Sequence, residues 1–211
     1  MKRPTLIALK TLAWLLCLIP LGSLAWGAAT GGLGADPAHT LAFATGLAAL
    51  RILIVTLAIT PVRKLIPRLA WLVRFRRLTG LFAFFYATLH LAVWVALYSG
   101  FDFNAMAQDV VKRRFIMAGM AAFLMLAPLA ATSTQGAIRK LGGKRWRLLH
   151  RLVYLAAFAA LAHFWWQVKP GVQTQVPITI VFWVLMLARP VLWLVEGARK
   201  RMQAKAKQRA A

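Results

Sequence analysis

Apolar residues in this chain gather into runs of about twenty, the length an α-helix needs to cross about 30 Å of hydrocarbon. Six such runs are legible, at 9–29, 43–61, 79–99, 115–133, 148–168 and 176–196. They predict an all-α polytopic membrane protein. The expected architecture is one six-helix domain over residues 1–211, with residues 197–211 as a basic tail. The opening Met-Lys-Arg before an apolar run has the look of a signal peptide. Five further spans follow and no small-x-small cleavage site is evident, so an uncleaved first helix is expected. No internal repeat is apparent.

The segments between runs are short. On one side they are 30–42, 100–114 and 169–175, which leaves no room for a catalytic domain outside the membrane. On the other side, 62–78 mixes Leu, Ile, Trp and Phe with basic residues and reads as an amphipathic surface segment. Trp26, Trp94, Tyr98, Trp165 and Trp166 fall near one interface and Trp71 and Trp146 near the other, as anchoring aromatic belts do.

Composition agrees with this class. Of 211 residues, 61% are hydrophobic, and the mean hydropathy is +0.68, well above a soluble domain. The net charge of +23 comes from 27 Lys and Arg against 4 acids. Nucleic-acid binding is one reading of so basic a chain, but the distribution argues against it. Lys2, Arg3 and Lys10, the six basic residues Arg63, Lys64, Arg68, Arg74, Arg76 and Arg77, the 139–151 segment and the tail all fall on one side. The other side has Lys112, Arg113, Arg114 and Lys169, with Asp36, Asp102 and Asp109. The positive-inside rule then places both termini in the cytoplasm.

Four histidines carry the candidate chemistry. His39 sits in a Gly-rich segment and reads as a solvated loop residue. His90, His150 and His163 lie within apolar runs, where an ionisable group is costly and usually functional. The spans of His90 and His163 run in the same direction, and at 1.5 Å per residue their depths differ by only about 6 Å. Two neutral imidazoles facing across a bundle suit a single heme iron. His150 lies about 20 Å from His163 along the axis, but their rings diverge by roughly 140° on a straight helix. Thirteen residues before His90, where a matching ligand for His150 would stand, is Arg77.

Other chemistries fit less well. Zinc lacks a completing Cys or acid at the same depth, and a proton relay lacks carboxylates. Structural histidines bonded to neighbouring helices, in a small transporter or scaffold, remain the alternative. Cys17 is a single packing residue, and the absence of C-x-x-C-H excludes covalent heme attachment. Arg74, Arg76, Arg77, Arg147 and Arg151 suit lipid head groups, heme propionates or a flavin phosphate. Gly142-Gly143-Lys144 is not a P-loop, having neither the earlier Gly nor the following Ser/Thr. Arg51 and Arg189, inside spans, call for buried pairing or snorkelling.

Several segments resemble the MsrQ (YedZ) family, the heme-binding membrane subunits of a bacterial periplasmic methionine sulfoxide reductase system. They are GGLGADP at 31–37, RRLTGLFAFFYATLHL at 76–91, TSTQ at 132–135, KLGGKRWRLLHRLVY at 140–154 and HFWWQVK at 163–169. The resemblance covers nearly the whole chain. It implies a core similar to that of ferric reductases and NADPH oxidases, with one or two b-type hemes. His90 and His163 would ligate an outer iron and His150 an inner one, with Arg77 near the position of the missing fourth His. It further implies a bacterial inner-membrane location. Donors would be the quinone pool or a cytosolic flavin reductase with FMN. The acceptor would be a periplasmic molybdopterin-containing catalytic subunit that repairs methionine sulfoxide.

Overall fold

The computed structural model describes residues 3–167 and 175–209, and every regular element among them is helical. The helices are α1 (Arg3–Thr30), α2 (Pro37–Leu65), α3 (Arg76–Val93), α4 (Phe103–Lys112), α5 (Arg114–Ala131), α6 (Gln135–Leu149), α7 (Leu152–Gln167) and α8 (Gln175–Arg209). A 3₁₀ segment, Pro67–Phe75, joins α2 to α3, and one π-helical turn, Trp94–Tyr98, ends α3. The expected residues Val168 and Lys169 and the segment up to Thr174 lie outside the described residues.

Five helical stretches are long and apolar enough to span a membrane alone: α1, α2, α3 with its flanking turns, α5 and α8. The fifth expected span, 148–168, does not stand as one such helix. Instead of one helix from residue 148, α6 and α7 meet at a 46° bend. Positive φ at Gly142 (73°) interrupts α6 as well. The segment expected as a simple loop, 100–114, contains α4, capped by the Asp102 carboxylate on the amides of Asn104 and Ala105.

Local chemistry sets the helix starts. The Asp36 carboxylate accepts from the His39 amide at 2.9 Å, and Pro37 occupies the first turn of α2, where its missing N–H costs nothing. His39 is thus exposed, but in the first turn of α2 and not in a loop. Thr134 caps α6 through the Ala137 amide.

Two tight helix pairs, α2 with α3 and α5 with α7, form the centre. Lipid tails are as apolar as leucine, so small residues that let backbones approach drive helix association in a membrane. Ala83 on α3 and Ala156 on α7 fill that role and are 1% and 0% exposed. Leu53, Leu57, Leu126 and Phe182 close around them. On α1 the Tyr86 hydroxyl enters the helical ladder beside Pro20. It accepts from the Leu21 amide (3.1 Å) and donates to the Cys17 carbonyl (2.7 Å), tying α1 to α3.

Arg189 on α8 is half-buried and paired within the bundle. Its Nη1 donates to Tyr154 Oη (2.7 Å) and its Nη2 to the Leu57 carbonyl (2.6 Å). Arg51, by contrast, is exposed on α2.

Candidate functional site

His90 on α3 and His163 on α7 face one another, with ring centres 5.8 Å apart and planes crossed at 76°. Each ring is held by the other helix of its own pair. His90 Nδ1 lies 2.8 Å from the Ala42 carbonyl on α2, and His163 Nδ1 lies 2.6 Å from the Phe115 carbonyl on α5. A carbonyl only accepts, so both Nδ1 atoms must carry the proton. In the neutral imidazole each Nε2 then keeps a lone pair, a form that can ligate a metal.

These rings border a cavity of about 450 Å³ between the two helix pairs, within the size range of small-molecule and cofactor sites. Its walls are mostly Ala, Leu, Phe and Gly, and its polar groups stand towards one end: Tyr98, Asp109, Arg113 and Gln167. Asp109 and Arg113 form an ion pair of 2.8 Å there.

A metal–imidazole bond is about 2 Å and the ring centre lies about 1 Å behind the nitrogen, so two rings sharing one ion stand about 6 Å apart. The observed 5.8 Å fits. Among the described residues, no cluster of three or more His, Cys, Asp or Glu could hold a metal ion. Two axial nitrogens over an apolar cavity suit a planar macrocycle that brings its own equatorial ligands.

The two halves of the site are related by an interval of 73 residues, which corrects the expectation of no internal repeat. Ala42, Gly46 and His90 correspond to Phe115, Gly119 and His163. The cavity-lining residues Ala49, Leu53 and Ala87 correspond to Ala122, Leu126 and Ala160, and the buried Ala83 to Ala156. No gap is needed from 42 to 94. The relation was hidden because few paired residues are identical. Apolar side chains interchange freely on such faces, and the pairs with a steric or chemical duty are among the few that coincide.

The halves part at the other end. His150 corresponds to Arg77. His150 stands in the break between α6 and α7, so the phase of α7 does not govern its ring direction. Its Nδ1 faces the Trp146 carbonyl at 3.1 Å, and its Nε2 is buried without a hydrogen-bond partner. Trp146 is more than an interfacial anchor. Its ring stacks on His150 at 3.9 Å, and its Nε1 donates to the Thr132 carbonyl at 2.9 Å. The Arg77 side chain is exposed, whereas Arg76 is half-buried and within electrostatic range of both His150 and Arg189. Beside His150 runs an open groove lined in part by Arg145, Leu149, Arg151 and Tyr154.

The three histidines were legible in the sequence, and Arg189 was singled out there for buried pairing or snorkelling without its partners; Arg113 counted only as an outer-side charge, and Gly46 and Gly119 were missed. The 73-residue interval was the signal that could have found the glycines. No signal in the sequence pointed to the Arg189 contacts, which join residues far apart in the chain.

Comparison with known proteins gives a consistent result. Residues 42–161 match the family described as ferric reductase like transmembrane component. A protein of Ralstonia nicotianae is 41% identical over 93% of this chain and 90% of its own length. One of Herminiimonas arsenicoxydans is 46% identical over 90% and 87%. One of Caulobacter vibrioides is 44% identical over 89% and 87%. Each of these relatives bears the name protein-methionine-sulfoxide reductase heme-binding subunit MsrQ.

Proposed function

The chain belongs to the ferric reductase like transmembrane family and, within it, to the MsrQ heme-binding subunits; from this premise we propose that His90 and His163 hold one b-type heme through which the protein passes electrons across a membrane. The observation that carries the site assignment is the matched pair of Nδ1–carbonyl bonds, which leaves two Nε2 lone pairs on facing rings. The heme supplies reversible one-electron uptake and release.

The chain's own residues do the rest. The Ala42 and Phe115 carbonyls draw on the Nδ1 protons and make both imidazoles more basic, stronger donors to an oxidised metal. The apolar walls of the cavity exclude water. Arg113, with Asp109 beside it, is the cation at the polar end, where the carboxylates of a macrocycle are best accommodated.

His150 is the ligand of a second, inner heme. Its buried, unpartnered Nε2 supports this reading. Arg77 stands at the position that corresponds to His150 in the other half, so His150 would have no histidine counterpart there to hold that heme. The distribution of basic residues supports a six-span chain in the bacterial inner membrane with both termini in the cytoplasm. Electrons then enter near His150, from the quinone pool or from a cytosolic flavin reductase using FMN. They leave near His90 and His163 to a periplasmic, molybdopterin-containing catalytic subunit that reduces methionine sulfoxide. The short segments at that end suit chemistry carried out on a docked partner.

A reduced-minus-oxidised spectrum of the purified protein, with heme quantified per chain, tests the reading. Two hemes are expected in the wild type, and His90→Ala or His163→Ala should remove one. Colourless protein from cells with ample heme would overturn the proposal.

A further inference from the structure

Gly46 and Gly119 lie inside α2 and α5, where glycine costs about 0.5–1 kcal/mol relative to alanine. Neither has a positive φ that would require glycine. Something else must make the missing side chain useful. An α-helical carbonyl of residue i points towards residue i+4, so the Cβ at i+4 stands beside that oxygen. Ala42 with Gly46, and Phe115 with Gly119, are such pairs, and these two carbonyls are the ones that hold the histidines.

We infer that Gly46 and Gly119 are the positioning residues of the two axial histidines, each baring the stretch of helix on which one ring lies. The inference rests on the heme reading above. A Cβ at position 46 would stand 3.0 Å from both Nδ1 and Cε1 of His90. At position 119 it would stand 2.8 Å from Nδ1, 3.0 Å from Cε1 and 3.2 Å from Cγ of His163. Real Cβ atoms essentially never come as close as the 2.8 Å at position 119, and the 3.0 Å contacts at position 46 are tighter than nine in ten real ones. The obstructing atoms belong to a ring already tethered to a carbonyl, so relief requires the ring to move, by a few tenths of an ångström at position 46 and further at 119, at the expense of its hydrogen bond. Gly80, on α3, provides the contrast: a Cβ there meets only the Thr56 methyl, at an ordinary 3.7 Å. Gly27 and Gly143 have near contacts too, at 3.1 Å to Leu33 Cδ2 and 3.2 Å to Arg147 Nη1, but those atoms are the far ends of flexible side chains, whereas at Gly46 and Gly119 the neighbour is a ring held by a hydrogen bond.

Each seat is a unit of three residues, carbonyl, glycine and histidine, and the unit occurs twice at one interval. The carbonyl fixes the tautomer and the glycine fixes how close the ring comes to the helix. Together they set the direction of Nε2 and the crossing of the ring planes. Gly46→Ala and Gly119→Ala should each disturb one ligand and leave the other seated.

The test uses full-length protein purified in detergent with bound heme. Wild type, Gly46→Ala, Gly119→Ala, Gly80→Ala, His90→Ala and His163→Ala are compared by electron paramagnetic resonance, heme content and midpoint potential. Gly46→Ala and Gly119→Ala are expected to lose most of the low-spin signal of this site, or to shift its g-values and potential. Gly80→Ala should match the wild type. Wild-type spectra and potentials in both glycine variants, with the signal still lost in His90→Ala and His163→Ala, would overturn the inference alone. No heme in the wild type would overturn the underlying reading instead.

Should the glycine variants fold poorly, a double-mutant cycle decides the matter through thermal unfolding. Gly46→Ala should destabilise the protein that has His90 and be nearly neutral in the His90→Ala background. Equal destabilisation in both backgrounds would refute a role in seating the ring.

Discussion

The Nδ1 of His163 and the carbonyl oxygen of Phe115 lie 2.6 Å apart, joining α7 to α5 one turn before Gly119. The same relation joins His90 to Ala42 at 2.8 Å across α3 and α2. The two ligand candidates therefore owe their orientation to backbone, which cannot be mutated away. What mutation can remove is the ring or the space beside it.

His163→Ala and His90→Ala should each abolish the low-spin signal of the site between the helix pairs while leaving the helical content unchanged. Heme per chain, measured by pyridine hemochromogen, should fall by one in each variant. A variant that keeps the full complement would remove that histidine from the ligand set.

His150→Ala should have a different spectral effect. The resonance of the His90–His163 site should persist, and heme per chain should fall from two to one. The ring also stacks on Trp146, so His150→Phe is the better variant for separating packing from ligation. It should keep the stack and still lose the second heme. A wild type with one heme per chain, unchanged in His150→Phe, would leave His150 with a structural role only.

Arg189→Met should destabilise the fold by about 1–3 kcal/mol, because the Tyr154 hydroxyl loses its donor and the guanidinium's link from α8 to the Leu57 carbonyl on α2 is gone. Arg189→Lys should recover little, since an ammonium lacks the planar fork that reaches both oxygens. Thermal unfolding in detergent would decide it. Equal stability of wild type and Arg189→Met would mean that these contacts contribute nothing net.

Tyr86→Phe should cost about 1 kcal/mol and act mainly on α1. Without the hydroxyl, the Leu21 amide and the Cys17 carbonyl can pair directly and straighten the helix beside Pro20. Hydrogen exchange at the Leu21 amide should slow, while exchange in α5 and α7 stays unchanged. Faster exchange at Leu21 would show that the hydroxyl holds the turn closed instead of prising it open.

Read alone, the sequence yields the all-α membrane class and the expectation, matched by the 5.8 Å between ring centres, that His90 and His163 lie at one depth. These follow from local arithmetic: a helix advances a fixed distance per residue, so run length gives span and position in the run gives depth. The family came from motifs spread along nearly the whole chain. Only the tertiary structure decided which carbonyl each ring faces, that Gly46 and Gly119 clear the space for it, that Arg76 and not Arg77 lies near His150, and that Arg189 reaches Tyr154. Those are contacts between helices distant in the chain, set by how the backbones cross and not by any periodicity along one of them. The 73-residue repeat belongs to both: it was written in the sequence, but in so few identical residues that the geometry had to show which of them mattered.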